Sequence, residues 1–272
     1  MAGETKSLGQ KDVADRFYTK DIIAKQCVEF TKNLLPKQKL FFIEPSAGGG
    51  AFLPYLDNYV AYDLHPAAPN IIQADWLETI IPVDMAYINV VIGNPPFGVQ
   101  AKKAVAFFNK AALVADYIAF ILPRSFRKDS IKNKLNQQFH LIGEWILPEN
   151  SFTFEGKDYD VNCVFQVWEK RIETRPIIKA RTTTPYFDFT KDKSLATCSV
   201  RRVGAAAGKA SKNLDYSEQS NYFIINKTSM SNDDFIDFLN KLAHDRAADA
   251  VGPKSLSKSE LIEDFEAAYK AN

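Results

Sequence analysis

The apolar run 88–93 and the two prolines that follow it, Pro95 and Pro96, constrain the fold of this chain more than any other feature. A short run rich in β-branched residues predicts a strand that is buried on both faces. The prolines end this strand abruptly, because proline has no N–H to donate to a sheet and fixes its own φ. The chain is thereby held so that the side chain of Asn94, the carbonyl group of Pro95 and the ring of Phe97 can face one small cavity.

The segments on either side of this strand predict an alternation of helices and strands. Helical spacing of apolar residues and short apolar runs follow one another along the first 140 residues, which indicates an α/β fold built on a sheet. Two strands then come in succession, with no helical pattern between them. The predicted helices cover 21–35, 101–114 and 128–138, and the predicted strands cover 40–43, 60–62, 70–73, 87–92, 117–122, 141–147 and 161–168.

The length of 272 residues fits one domain of about 150–200 residues with an appendage. The amino-acid composition changes after Arg171, where the sequence becomes rich in Thr, Lys and Arg. From Ser231 the apolar residues have helical spacing again. We therefore predict a main domain over 1–170 and a small basic and helical appendage over 171–272.

The net charge of +1 conceals an asymmetry within the appendage. Residues 170–212 contain 11 Lys and Arg and 3 Asp and Glu, a balance of +8, whereas 213–272 contain 6 and 11, a balance of −5. A charge run alone is often a solvated surface, but beside a main domain it favours a polyanion-binding segment. The candidate phosphate ligands in this block are Arg201, Arg202, Lys209 and Lys212.

A glycine-rich loop, 44–52, follows the first predicted strand directly. Glycines let the backbone approach a ligand closely, although such loops also occur as plain turns or in dinucleotide sites. The carboxylate of Glu44 favours an ammonium ligand over a pyrophosphate, and Asp63 can accept hydrogen bonds from both hydroxyls of a ribose. Asp75 and Trp76 offer an acceptor and an apolar wall for an adenine, or are simply a surface Asp and a core Trp.

In this order along the chain, Phe-Tyr-Thr at 17–19, the loop 44–52, Asp63, Asp75 and Asn-Pro-Pro-Phe at 94–97 resemble the gamma-class N6-adenine DNA methyltransferases, which use S-adenosylmethionine (SAM). The resemblance covers residues 15–170 and implies a Rossmann-like α/β fold with a seven-stranded sheet whose last strand is antiparallel. It departs at Lys20, where the family has proline, and Thr19 can also be read as a helix N-cap. The residues that the resemblance implies for cofactor binding are Phe17, Tyr18, Thr19, Glu44, Pro45, Ser46, Ala47, Gly48, Gly50, Phe52, Asp63, Leu64, Asp75, Trp76 and Asn94.

The same resemblance implies how an adenine would be methylated. The side-chain oxygen of Asn94 and the carbonyl of Pro95 accept hydrogen bonds from the adenine amino group, while Phe97 stacks on the base. A base in a duplex must be flipped out to reach such a site. Phe152 is preferred over Phe154 for the second stacking face, and either can be plain core. The implied catalytic residues are Asn94, Pro95, Pro96, Phe97 and Phe152.

The implied partner is nucleic acid, with DNA preferred over RNA. Arg124, Arg127 and Lys128 follow the fifth strand at the ligand edge of such folds, where they hold phosphates or are ordinary surface charges. An RNA adenine methyltransferase stays an alternative, as do a protein glutamine methyltransferase, which uses Asn-Pro-Pro-Tyr, and a non-catalytic SAM- or nucleic-acid-binding subunit. The small appendage suggests either modest specificity or a partner subunit that supplies specificity.

Scattered cysteines and histidines, three of each, predict neither a disulfide framework nor a metal site. No apolar stretch approaches the ~18 residues that span a membrane. We therefore expect a soluble intracellular protein, in the cytoplasm or with the nucleoid or nucleus, that has no membrane partner and needs no metal.

Overall fold

The computed structural model describes residues 17–81, 86–249 and 253–271, which form two compact units. The first unit contains the chain up to Pro123 together with Asn133–Ile177, and the second contains Arg124–Lys132 and the chain from Ile178 onwards. The predicted division after residue 170 differs from these units at two points, the seven residues before Ile178 and the segment 124–132. The separate roles predicted for the two parts stay predictions.

The first unit is built on a seven-stranded sheet and a three-stranded sheet. The elements of this unit are β1 (Tyr18–Thr19), α1 (Asp21–Leu34), β2 (Leu40–Glu44), β3 (Tyr59–Asp63), β4 (Ile72–Gln73), β5 (Ile88–Gly93), α2 (Lys102–Ala111), β6 (Tyr117–Pro123), β7 (Phe139–Ile146), β8 (Phe152–Phe154), β9 (Lys157–Tyr159) and β10 (Cys163–Lys170). The large sheet has the order β4-β3-β2-β5-β6-β10-β7, and the small one has the order β1-β8-β9.

The topology of the large sheet confirms the expected fold class. Strands β2 to β6 pair in parallel with their neighbours, whereas β10 runs antiparallel to both β6 and β7. This is an α/β sheet in which the last strand is inserted antiparallel between two earlier ones. The parallel strands end at one edge, and in open α/β sheets ligands bind beyond the carboxyl ends of such strands.

The core of the first unit explains why these segments form their elements. Strands β5 and β6 are buried along almost their whole length, as continuous apolar runs in a parallel sheet should be. Helix α1 buries Ile23, Cys27 and Val28 on one face against this core. The predicted helix over 128–138 was wrong in extent, because only Asp129–Lys132 is α-helical and that turn belongs to the second unit.

The second unit is a four-stranded antiparallel sheet with helices. Its elements are α3 (Asp129–Lys132), β11 (Phe187–Thr190), β12 (Cys198–Arg201), β13 (Ala210–Ser211), β14 (Asn221–Asn226), α4 (Asn232–Lys241) and α5 (Lys258–Ala271). The strand order is β11-β14-β12-β13. The core contains Phe187, Phe235 and Phe265, whose ring centroids lie 5.1–6.3 Å apart.

No helix among the described residues is long and apolar enough to cross a membrane.

Candidate functional site

The glycine-rich loop after β2 is tied to the end of β3 by hydrogen bonds. The backbone N–H of Gly48 donates to Oδ2 of Asp63 at 2.7 Å, and the N–H of His65 donates to Oδ1 at 2.7 Å. Gly48 has a φ of +51°, and a Cβ there would lie 3.4 Å from the ring of Tyr18. The Asp63 carboxylate therefore orders the loop and keeps unused lone pairs for a ligand, since a carboxylate can accept about four hydrogen bonds.

The carboxylate of Glu44 lies at the end of β2 in an unusual environment. The residue is 1% exposed, and its Oε2 has no hydrogen-bond partner among the described residues. Burial, and secondly the charge of Asp63, raise the pKa of Glu44 to about 8. Gly93 allows this packing, because it has a φ of +152° and a Cβ there would lie 3.2 Å from Cγ of Glu44. A positively charged ligand group beside this carboxylate would supply its missing partner.

The tetrapeptide 94–97 begins at the end of β5, directly beside the loop. The hydroxyl of Ser46 donates to the backbone carbonyl of Asn94 at 3.0 Å, and Nδ2 of Asn94 donates to the hydroxyl of Thr19 at 3.1 Å. Pro95 is buried, whereas Asn94 and Phe97 are half-buried. Three separate segments predicted to form the site are thus joined by hydrogen bonds at Asn94.

The small sheet brings the segment 17–19 against the loop that carries the predicted stacking residue. Thr19 pairs with Phe152, and Phe152 is 1% exposed within the core of the first unit. The preference for Phe152 as a stacking face does not match this burial, because a ring inside the core has no free face to offer a base. Phe154 is half-buried and packs edge-on against Phe17, with centroids 6.1 Å apart.

Sequence reasoning did not single out Tyr159, which belongs to the same aromatic cluster. Its ring stacks on that of Phe17 with centroids 4.6 Å apart and an interplanar angle of 13°. The hairpin between β8 and β9 turns at Glu155 and Gly156, both with positive φ. Positive φ at both central residues is typical of a tight hairpin turn, which normally carries Asn or Asp before Gly. Because this turn has a glutamate in that place, the sequence did not predict the hairpin.

The pair Asp75 and Trp76 divides between the surface and the core. Trp76 is 1% exposed and packs against Tyr62 and Phe107, with centroids 6.3 and 6.5 Å away. The prediction that it forms a wall for adenine does not match this burial. Asp75 is exposed, and its Oδ1 accepts the backbone N–H of Leu77 at 2.9 Å.

The other predicted cofactor residues divide in the same way. Tyr18 is 48% exposed and Leu64 is 54% exposed. Ala47 and Phe52 are buried in the core cluster, and Pro45 is buried as well. The buried side chains anchor the loop, whereas the exposed ones have free surface for a ligand.

Two of the predicted phosphate ligands are bound inside the second unit. Arg127 forms two hydrogen bonds with the carboxylate of Asp249, at 3.0 and 2.9 Å, and Asp249 is 1% exposed. Lys128 has a side chain that is 13% exposed, and its Nζ lies 2.8 Å from the carbonyl of Ser255 and 3.4 Å from Glu260. The donors of Lys128 thus already have partners within the second unit, and its role as a phosphate ligand stays a prediction.

The predicted phosphate ligands in the basic block, residues 170–212, differ in their contacts. Arg201 donates to the carbonyl of Val203 at 3.0 Å, and Arg202 lies over the ring of Tyr222 at 5.2 Å. Lys212 is exposed and forms an ion pair with Asp233 at 2.6 Å.

Two further cations of the predicted set contrast with each other. Lys209 is exposed, whereas Arg124 is half-buried and its Nε has no partner among the described residues. Lys209 and Lys212 are therefore the most exposed of the predicted phosphate ligands. In the described part of the chain, no group of three or more His, Cys, Asp or Glu could hold a metal ion.

No protein-family model matches the sequence, and no curated protein matches it. Solved structures with a similar fold include a candidate RNA methyltransferase from Pyrococcus horikoshii (17% identity, TM-score 0.47), aligned over 61% of this chain and 91% of that one. A type I restriction-modification methyltransferase subunit from Streptococcus thermophilus aligns over 84% of this chain and 53% of its own (12% identity, TM-score 0.43). The E. cuniculi Mtq2–Trm112 complex, responsible for methylation of the termination factor eRF1, aligns over 57% and 98% (13% identity, TM-score 0.38). These similarities concern the fold; the name of one of these proteins gives RNA as the substrate, and the name of another gives the protein eRF1.

Proposed function

We propose that this chain is a SAM-dependent methyltransferase that transfers a methyl group to N6 of a flipped adenine in DNA. The observation that carries the proposal is the direct contact between the glycine-rich loop and the Asn-Pro-Pro-Phe segment, through the bond from Ser46 to Asn94. A cofactor loop and an amino-group acceptor that lie side by side are what a methyl transfer between two bound molecules requires.

The residues at this edge fit SAM as a cofactor. The unpartnered buried oxygen of Glu44 suits the ammonium group of the methionine part, and Asp63 suits the ribose hydroxyls. Asp75 is exposed and offers an acceptor for the adenine amino group of the cofactor. When bound, SAM supplies an electrophilic methyl group.

The residues of the chain itself then act on the substrate amino group. Nitrogen N6 of adenine is a weak nucleophile, because its lone pair is delocalised into the ring. The side-chain oxygen of Asn94 and the carbonyl of Pro95 accept hydrogen bonds from its two N–H groups, which favours a pyramidal nitrogen and stabilises the positive charge that develops on it. Asn94 is neutral, so it orients the amino group and is not a base. The N–C bond would form as the methyl–sulfur bond breaks, with S-adenosylhomocysteine as the leaving group, and the methylated nitrogen would then release its extra proton to solvent.

Support for a nucleic-acid base as the substrate comes from the half-buried rings of Phe97 and Phe154 and from the exposed Lys209 and Lys212. An aromatic face contributes about 1–3 kcal/mol per stacked base, which offsets part of the cost of flipping. Phe154 replaces Phe152 in this proposal, because it is the less buried of the two. A recognition role for the second unit is also part of the proposal.

Labelled SAM incubated with separate pools of duplex DNA, single-stranded DNA, RNA and protein tests the function directly. We expect N6-methyladenine in digests of the DNA pool, detected by mass spectrometry. The Asn94→Ala variant should lose about 10²-fold in turnover, because it lacks an acceptor needed most as charge develops, while its SAM affinity changes little.

The matched control is Phe97→Tyr, which keeps an aromatic face and should stay active where Phe97→Ala does not. Methylation of RNA alone would move the proposal to the RNA alternative, and methylglutamine would move it to protein. Recovery of C5-methylcytosine without N6-methyladenine, or full activity of Asn94→Ala, would overturn the proposal. An inert wild type that binds SAM would favour a non-catalytic subunit.

A further inference from the structure

Two carboxyl groups lie near each other at the glycine-rich loop. Glu44 ends β2 and Asp63 ends β3, and these two strands pair in parallel. After burial, the charge of Asp63 is the second cause that raises the pKa of Glu44. Each negative charge disfavours the other, so two such carboxyl groups shielded from water rarely stay charged together. The hydrogen bonds around them show which one keeps its charge.

Asp63 has the environment of a charged carboxylate. Its two oxygens accept hydrogen bonds from the backbone N–H groups of Gly48 and His65, both at 2.7 Å, and such bonds stabilise the charged form of a carboxyl group. Asp63 is also half-buried, so solvent reaches it. The negative charge of the pair therefore belongs to Asp63.

Glu44 has the environment of a neutral carboxyl group. It is 1% exposed, and its Oε2 has no hydrogen-bond partner among the described residues. On its other side β2 pairs with β5, where Gly93 packs against Cγ of Glu44 and the next residue is the neutral Asn94. A buried charge without a partner costs far more than a buried neutral group. Glu44 therefore holds a proton at pH 7 in the ligand-free protein, as its pKa of about 8 indicates.

The other ionisable side chains next to this loop leave the assignment unchanged. Tyr18 of β1 lies over Gly48, where a Cβ would be 3.4 Å from its ring, and a phenol carries no charge at neutral pH. His65 is exposed and contacts Asp63 through its backbone N–H. Among the described residues, the charge that acts on Glu44 is that of Asp63.

We propose that Glu44 loses its proton when its carboxylate receives the ammonium group of the cofactor, so that binding of SAM or S-adenosylhomocysteine releases one proton. This inference rests on the proposed function, which gives that ammonium to Oε2 of Glu44. The O–H bond of the carboxyl group breaks, the proton passes to solvent, and the carboxylate accepts a hydrogen bond from the ammonium in its place. Glu44 and Asp63 are then charged together only while a cation lies beside them.

Calorimetry with S-adenosylhomocysteine at pH 7, in two buffers of different ionisation enthalpy, counts the protons released on binding. The wild type should release close to one proton, because a group with a pKa of about 8 is roughly nine-tenths protonated at pH 7. Glu44→Gln keeps the shape without an ionisable proton and should release almost none. Glu78→Gln is the matched control, since it removes an exposed glutamate of the same unit, and it should release as many protons as the wild type. No release by the wild type, or equal release by Glu44→Gln, would overturn the inference.

The affinity for S-adenosylhomocysteine should show the same exchange. In the wild type the association constant should rise about tenfold from pH 6 to pH 7, because the release of one proton changes its logarithm by about one per pH unit. In Glu44→Gln it should change less than about twofold over the same range. A wild-type affinity that does not depend on pH would contradict the exchange.

A third measurement does not require Glu44→Gln to bind the cofactor. In protein labelled with ¹³C-glutamate, the carboxyl signal of Glu44 is identified by its loss in Glu44→Gln. In the ligand-free wild type it should titrate near pH 8, far above the value of about 4.3 for an ordinary glutamate. At pH 7, S-adenosylhomocysteine should move it to the position of a charged carboxylate. A signal that is already charged without ligand, or that stays neutral with ligand bound, would overturn the inference.

The outcomes separate this inference from the proposed function. Proton release on binding, with no pool methylated, would refute the proposed substrate and leave the role of Glu44 intact. Methylation of the DNA pool without proton release would do the reverse. A wild type that binds neither SAM nor S-adenosylhomocysteine would overturn both.

Discussion

Buried carboxylates occur in both units of this protein, and their surroundings differ. Glu44 in the first unit and Asp249 in the second are each 1% exposed. Asp249 accepts two hydrogen bonds from Arg127, whereas Oε2 of Glu44 has no partner among the described residues. One carboxylate is part of a completed structural contact, and the other is an incomplete contact at the end of a parallel strand.

The pKa values of two carboxyl groups, one in each unit, are shifted in opposite directions. The Arg181 guanidinium, which hydrogen-bonds to Glu266 in the second unit, holds the pKa of that carboxyl below its usual range. Burial raises the pKa of Glu44 in the first unit. In the second unit, the ion pairs of Arg181 with Glu266 and of Lys212 with Asp233 join the basic block to the acidic end of the chain. An unpaired buried carboxylate is therefore a better indicator of a ligand site here than a run of positive charge.

The largest effect on stability should follow from breaking the contact between Arg127 and Asp249. Arg127→Met leaves the Asp249 carboxylate buried without its cation, and we expect a loss of about 3–5 kcal/mol from the free energy of unfolding of the second unit. Hydrogen exchange of α5 in increasing urea measures this loss. Fluorescence of Trp76, Trp145 and Trp168, all in the first unit, is the internal control.

The reverse change, Asp249→Asn, should be milder. The side chain of Arg127 is 32% exposed, so water can solvate its charge when the carboxylate is removed. If Asp249→Asn is more damaging than Arg127→Met, the pair is not governed by the burial of Asp249.

Substitution of Glu44, whose Oε2 has no partner among the described residues, should change the free energy of unfolding in the opposite direction. With a folded pKa of about 8 against an ordinary 4.5, Glu44 holds a proton in the folded protein that the unfolded chain has already released between these pH values. The free energy of unfolding of the ligand-free protein should therefore fall as pH rises from 5 to 8. Glu44→Gln should remove this contribution and raise stability at pH 8 by on the order of 2 kcal/mol.

Urea unfolding at several pH values, followed by tryptophan fluorescence, measures this effect. Calorimetry with SAM is the matched measurement, in which Glu44→Gln should weaken binding about tenfold because the ammonium loses a charged acceptor. A variant that is less stable than the wild type at every pH would show that Glu44 already has a partner. Unchanged SAM affinity would remove Glu44 from the cofactor site.

The smallest effect should come from the exposed ion pair of the basic block. Lys212 and Asp233 have side chains that are 69% and 70% exposed, so Lys212→Ala should change the free energy of unfolding by less than about 0.5 kcal/mol. Hydrogen exchange of α4 in increasing urea measures it. The salt dependence of DNA binding by the same variant is the informative comparison, because a lost phosphate contact would flatten the slope while stability stays constant. A large loss of stability would show that this surface pair is structural after all.

Much of the first unit could be predicted from local patterns. The buried strands β2, β5 and β6 are continuous apolar runs, α1 has helical apolar spacing, and two prolines mark the end of β5. These signals depend on neighbouring residues only, so the sequence contains them in full. The α/β class followed from these patterns, and the antiparallel last strand was implied by the family resemblance alone; the sheet confirms both.

The second unit was harder for a physical reason. Its strands are short and carry charged or polar residues between the apolar ones, as in Phe187-Asp188-Phe189-Thr190 of β11. Its pairings are also brief, with two residue pairs between β12 and β13 and four each between β14 and its neighbours β11 and β12. Segment 124–132, which follows a strand of the first unit, also joins this unit through long-range contacts such as Arg127 with Asp249.

The sequence by itself determined which residue types meet at the ends of the parallel strands, because each lies within a few residues of a strand end that apolar spacing and prolines mark. Only the tertiary structure decided which of them are available to a ligand. Trp76 and Phe152 became core, Lys128 became part of an ion pair, Glu44 kept an unpartnered oxygen, and Thr19 came into contact with Asn94. Burial and hydrogen-bond partners depend on segments distant in the chain, and local sequence patterns carry no information about them.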